Sequence, residues 1–187
     1  MTTVADAIAI LDRAYPPHLA ESWDKVGLIC GDPAGPADTI LLALDCTQEV
    51  ADAAVAAGAD MLVVHHPLLL RGAQFIPDTD YKGHVLHTLI EGQCGLLGAH
   101  TNADAAIAGV NEALCDALNL TDRTALAEPQ TQELGGEEHP VGTGRVGTLS
   151  EPLTLRALAE RLADALPATA GGLRIAGRPE QRISRVA

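Results

Sequence analysis

Met61-Leu62-Val63-Val64-His65-His66-Pro67 is the stretch that decides how this chain is read. Four apolar residues in succession, two of them β-branched, predict a buried strand. The strand runs straight into two adjacent histidines, and Pro67 biases His66 toward an extended backbone. The layout recurs downstream, where the apolar run Cys94–Ala99 ends in His100-Thr101-Asn102-Ala103-Asp104. A helix is predicted between them over 83–92. Upstream, 39–44 reads as a further buried strand, followed by a helix that Asp45 or Thr47 can cap and Gly58 can end. A short strand over 26–30 stops at Gly31-Asp32-Pro33. Strands that are apolar throughout and alternate with helices predict an α/β fold, with a mostly parallel sheet covered by helices.

Working outward, Val4, Ile8 and Leu11 predict an amphipathic helix over 3–15 that Pro16 and Pro17 stop. Residues 108–119 predict another, with Val110, Leu114 and Leu118 on its buried face. The stretch 121–140 is polar and acidic, carries Gly135-Gly136 and Glu137-Glu138, and reads as a long loop. The expected organisation is an α/β metal-binding domain over 1–128, a linker over 129–140, and a second, smaller α/β unit over 141–187. That unit is expected to hold a strand at 145–149, a helix over 154–166 with Leu155, Leu158, Leu162 and Leu166 as its stripe, and short strands at 172–175 and 182–186. Its apolar ending, Arg185-Val186-Ala187, reads as a truncated domain.

Composition narrows the function. Hydrophobic residues make up 47% and aromatics 2%, so the core must be built from small aliphatic side chains. The 25 acidic and 12 basic residues leave a net charge of −13 with no basic cluster, which argues against nucleic acid as a partner. Four cysteines form no CxxC pair, and Cys30, Cys46 and Cys94, in or beside apolar runs, read as small buried residues of a reducing compartment. With no basic segment leading an apolar core and no apolar run of about 18 residues, neither a signal peptide nor a membrane span is expected. The expected location is cytoplasmic.

The chemistry sits at the strand ends. In open parallel sheets, ligands bind at the carboxyl ends of strands. Neighbouring side chains on an extended backbone point different ways. His65 and His66 therefore suit two neighbouring ions better than a single one, and Asp104 supplies a carboxylate to balance divalent charge. The expected cofactors are two divalent metal ions per subunit, zinc, iron or manganese. His100 is open between ligand, a group that orients a ligand, and a proton carrier. The rest is weaker. Gly142-Thr143-Gly144-Arg145-Val146-Gly147 matches GxGxxG, but a loop precedes it and a strand follows, so no dinucleotide site is expected there. His84 and His87 read as a helix-face pair, His18 and His139 as inert loop residues, and Trp23 as a packing anchor that could also stack on a substrate base.

Ala20-Glu21-Ser22-Trp23-Asp24-Lys25-Val26-Gly27-Leu28, Leu41–Asp45, Val63-Val64-His65-His66-Pro67-Leu68, Ala99–Asp104 and Gly109-Val110-Asn111 follow one another in an order that resembles the GTP cyclohydrolase I type-two homologues. The resemblance runs from about residue 3 to the last. It implies an α/β fold assembled as a toroidal homohexamer with two metal ions per subunit. His65 would bind one ion, and His66 with Asp104 the other. In that family a His-x-x-x-Glu segment completes the site; none follows residue 140 here, and Lys25 stands where the family usually has Asn. A metal-dependent hydrolase of a nucleotide or related small molecule is the expected function, with His100 as its possible proton carrier. A non-catalytic metal-binding scaffold or metal-delivery hexamer is the rival.

Overall fold

A computed structural model describes all of residues 1–187. The chain divides into two compact units, Met1–Ala103 and Asp104–Ala187.

The first unit is built on a four-stranded sheet of β1 (Gly27–Cys30), β2 (Ile40–Ala43), β3 (Met61–Val64) and β4 (Gly95–Gly98), in the order β1-β4-β3-β2. β2, β3 and β4 run parallel, and β1 joins the β4 edge antiparallel. The α/β, mostly parallel architecture is as the apolar runs predict. β3 and β4 are central and buried along their whole length. β2 differs from expectation: it is an edge strand, and Leu42 on one of its faces is 75% exposed. A continuous apolar run cannot show from sequence which strand is left at the edge.

Helices cover both faces of this sheet. α1 (Val4–Ala14) opens on a capping box in which Thr3 and Asp6 satisfy each other's backbone N–H. It lays Val4, Ala7, Ile8 and Leu11 against Met61, Val63 and Leu97. α2 (Gln48–Ala56) and α3 (Tyr81–Glu91) place Ala51, Ala54, Val85, Leu86 and Leu89 against Leu62, Val64 and Leu96. Thr47 caps α2 by accepting the Val50 N–H at 3.3 Å, which leaves Asp45 for another role. The segment from Pro67 to Asp80 is irregular and is drawn back onto α3. Gly83 is needed there, because a Cβ at that position would lie 2.0 Å from the Pro77 carbonyl oxygen. His84 and His87 fasten the same segment, to Asp78 at 2.8 Å and to the Ile76 carbonyl at 3.0 Å. They are a structural helix-face pair, as read.

The short helix α4 (Thr101–Ala105) spans the division, with only Asp104 and Ala105 in the second unit. That unit continues with α5 (Val110–Ala117), β5 (Leu120–Leu134), β6 (Glu137–Thr154), α6 (Leu155–Ala165) and β7 (Arg182–Val186), the strands pairing antiparallel as β5-β6-β7. Residues 121–140, expected as a loop, are the two arms of a long hairpin that turns at Gly135-Gly136. The stretch 129–140 is therefore β-structure, and the division between units falls before Asp104. No strand forms at 172–175, whereas 182–186 is the expected strand. On α5 the buried side carries Cys115, with Leu118 just beyond, while Val110 and Leu114 are exposed. Leu118, Leu120, Leu149 and Leu158 form the core.

Arg145 organises this unit. Almost wholly buried, it donates to Glu112, to the Gly142 and Gly144 carbonyls, and to the Ala105 carbonyl at 2.9 Å. The GxGxxG match thus lies inside β6 with no helix opening on it. Gly142 has φ +151°, and a Cβ there would meet the Glu128 carbonyl oxygen at 2.6 Å. These glycines serve strand packing.

Candidate metal centre

The parallel register of β3 and β4 pairs Val64 with Gly98, so the residues that follow each strand emerge at one edge of the sheet. His65, His66 and His100 meet there. Their ring centroids are 5.0 Å apart for His65 and His66, 5.3 Å for His65 and His100, and 6.0 Å for His66 and His100. The two strand ends thus bring together three of the residues singled out in the sequence.

Each imidazole is oriented through the same nitrogen. His65 Nδ1 lies 2.9 Å from the Ala99 carbonyl, His66 Nδ1 2.8 Å from Asp45 Oδ1, and His100 Nδ1 3.0 Å from Asp24 Oδ2. A carbonyl or an ionised carboxylate can only accept, so Nδ1 carries the proton in all three rings. That tautomer puts the ring lone pair on Nε2. Metal-binding histidines are commonly held this way, the second nitrogen donating to a carboxylate or a backbone carbonyl.

Asp24 is the most tightly held of these partners. Its side chain is 0% exposed, and Oδ2 accepts the Thr101 hydroxyl at 2.5 Å and the Thr101 N–H at 3.2 Å besides His100. Burial pushes its carboxyl up, but the Thr101 hydroxyl, the Thr101 N–H and His100 together outweigh that, and it lies below its ordinary value. Sequence reading missed both Asp24 and Asp45 as partners. Both sit in the stretches Trp23-Asp24 and Leu44-Asp45, but nothing along the chain ties them to particular imidazoles.

By donor chemistry the imidazoles fit a metal-holding role, each with its Nδ1–H committed to a carbonyl or carboxylate, although no group of three or more His, Cys, Asp or Glu side chains is drawn together as one metal-binding cluster. Asp104 stands on α4, at the opening of the second unit, and its backbone carbonyl accepts the Asn111 side-chain amide at 2.8 Å. Of the four site residues expected from sequence, the first unit gathers the histidines, and Asp104 belongs to the other unit.

Trp23 does not anchor a core, contrary to the first of its two readings. It is 57% exposed, its ring centroid 6.1 Å from that of His100 with 75° between the two planes. On the other side, next to His66, a cavity of about 240 Å³ is lined by Asp45, Thr47, Tyr81 and Lys82 among others.

The class that the fold defines is an α/β protein with a mostly parallel sheet, whose strand ends collect three imidazoles oriented by two carboxylates and a backbone carbonyl. The chain belongs to the Duf34/NIF3 (NGG1p interacting factor 3) family, whose model matches residues 2–187. It is 45% identical over 187 residues to a Streptomyces coelicolor protein named GTP cyclohydrolase 1 type 2 homolog, covering all of this chain and 64% of that one. It is 30% identical to the Mycobacterium leprae protein of the same name, covering 98% of this chain and 73% of that one. Among solved structures, a Bacillus cereus protein related to NIF3 superposes with a TM-score of 0.85 at 22% identity, over 98% of this chain and 74% of that one. A Staphylococcus aureus hypothetical protein does so at 0.81 and 26%, over 98% and 70%. The resemblance noted in the sequence is thereby borne out at the level of family and fold.

Proposed function

We propose that this chain carries the centre of a dinuclear, divalent-metal-dependent hydrolase acting on a nucleotide or a related small molecule. The observation that carries the reading is the set of three imidazoles gathered at one sheet edge, each with Nδ1–H committed to a carbonyl or carboxylate and its lone pair on Nε2. His65 would hold one ion, and His66 with Asp104 the other. Two ions held there would supply Lewis acidity, lowering the pKa of a water and polarising a substrate oxygen. Asp45 and the Ala99 carbonyl fix the rings of His66 and His65.

His100 has the arrangement of a proton carrier. Its Nε2 can accept a proton, and the buried Asp24 carboxylate at Nδ1 stabilises the imidazolium that results. The polar cavity beside His66 offers space for substrate, which favours an enzyme over the metal-scaffold reading. The names of the curated relatives point to GTP as the first substrate to try. The reading extends to a homohexamer as the assembled form and to the cytoplasm as its location; no helix of the chain is long and apolar enough to cross a membrane.

The test is turnover. Metal-stripped protein is reloaded with zinc, iron or manganese and offered a panel of nucleotides, GTP included. Metal-dependent hydrolysis of at least one substrate, lost in His66→Ala and slowed about 10²-fold or more in His100→Ala, is expected. Since the chain spans 64% of the Streptomyces relative, the same panel is run on a version extended to that relative's length. Full metal loading with no turnover in either would leave the scaffold reading standing.

A further inference from the structure

Trp23 has no part in the reading above, yet it is placed with care. The chain has one Trp, two Tyr and one Phe. Its largest aromatic ring is 57% exposed instead of filling the aliphatic core. The turn that presents it is locked. Asp24 N–H donates to the Glu21 carbonyl at 2.9 Å, closing Glu21–Asp24. Both ends of that turn are then tied to Thr101: Glu21 N–H donates to its Oγ1 at 3.0 Å, and that hydroxyl donates to Asp24 Oδ2 at 2.5 Å. Asp24 is buried and Thr101 partly so, and the indole they hold stands mostly in water, its plane at 75° to the His100 ring.

We propose that Trp23 is the platform on which a flat heteroaromatic ring of the substrate stacks, so that the substrate class is one bearing such a ring, as a nucleobase does. The inference rests on the reading of the imidazole cluster as the reactive centre. A fixed indole offers a broad apolar face with few rotatable bonds to freeze, which makes it an efficient anchor for a planar ligand. Stacking on it is tolerant of which base is bound. An indole face also attracts cations, but Lys25, exposed in the same loop, disfavours one here. Contact with His100 sets the platform at the rim of the imidazole cluster, so a ring stacked on it lies beside the groups that would act on it.

Trp23 is the sole tryptophan, so its emission reports this position alone. The full chain, without metal, is titrated with adenosine, guanosine, ribose 5-phosphate and tetramethylammonium. Saturable quenching by the two nucleosides, and none by the ringless sugar phosphate, is expected. By calorimetry Trp23→Ala should bind the nucleosides about tenfold or more weakly, and Trp23→Phe should stay within a few-fold of the parent. Metal content should be the same in all three. Three results would overturn the proposal: no change in emission with nucleosides, equal affinity in Trp23→Ala, or quenching by tetramethylammonium as strong as by nucleosides. A buried-type emission maximum before any ligand is added would also do so, since another copy of the chain would then cover the ring. Should Trp23→Ala fail to fold, the parent titration and the Phe variant still decide. Loss of the hydrolase reading shows separately, as absent metal or absent turnover with stacking intact.

Discussion

Asp24 illustrates how much of this site depends on single side chains. It is buried and accepts from the Thr101 hydroxyl, the Thr101 N–H and His100. Removing it leaves these donors without their acceptor. Asp24→Ala should lower stability by about 2–4 kcal/mol, read as the urea midpoint. The imidazole of His100 should also change tautomer population, read by nitrogen NMR of the ring. Gly83 is a second such position. A Cβ would sit 2.0 Å from the Pro77 carbonyl, so Gly83→Ala must push the 67–80 segment off α3. A loss of about 1–3 kcal/mol is expected, visible as a lower Tm. At this scale the sequence is legible for donors that follow a strand: His65, His66 and His100 stand out because an apolar run ends at each pair or motif. Their partners do not stand out. Asp45 and Asp24 are brought to the rings by strand order and by a distant turn, and no local pattern encodes either.

At the scale of elements, the hairpin β5–β6 is the informative case. Gly135-Gly136 and the acidic residues around it suggest a linker, and Pro129 argues against a strand. The fold admits Pro129 because the ladder is broken between Ala127 and Gln130, with Glu128 at φ +47°. Strand recognition relies on one apolar face, and most side chains of this hairpin face solvent. α1 shows the opposite case, where a capping residue, a clear apolar stripe and a double proline bracket the helix. α5 falls between. Its helical period was plain, but Glu112 turns inward to meet Arg123 and Arg145, and that rotates Val110 and Leu114 outward. Arg145→Ala removes the hub of this unit, leaving Glu112 with Arg123 alone and the Gly142, Gly144, Ala105 and Ala106 carbonyls without their donor. A loss of about 3–5 kcal/mol is expected. It should appear in equilibrium denaturation together with faster amide exchange along β6.

For the molecule as a whole, stability should trace a plateau bounded by two kinds of group. Burial raises the Glu112 carboxyl, but hydrogen bonds and charge from Arg145 and Arg123 outweigh that and set it below its ordinary 4.5. Asp24 is likewise held below 3.8. A carboxyl depressed on folding stabilises above its unfolded value, and that contribution fades as pH falls toward the folded one. Stability should therefore decline below about pH 4.5, and Glu112→Gln should flatten part of that decline. The alkaline side is set by Cys46 and Cys94, whose thiols burial pushes up to about 11. Unfolding frees them to ionise at lower pH, so stability should fall as pH rises from about 9 toward 11. Urea midpoints across that range check both limbs.

The measurement that bears most directly on the whole account is anomalous X-ray scattering from crystals grown with zinc. Two separate ions are predicted, one about 2.1 Å from Nε2 of His65 and one about 2.1 Å from Nε2 of His66. Density for zinc elsewhere, with neither imidazole touching it, would contradict the account and return these three histidines to a purely structural part.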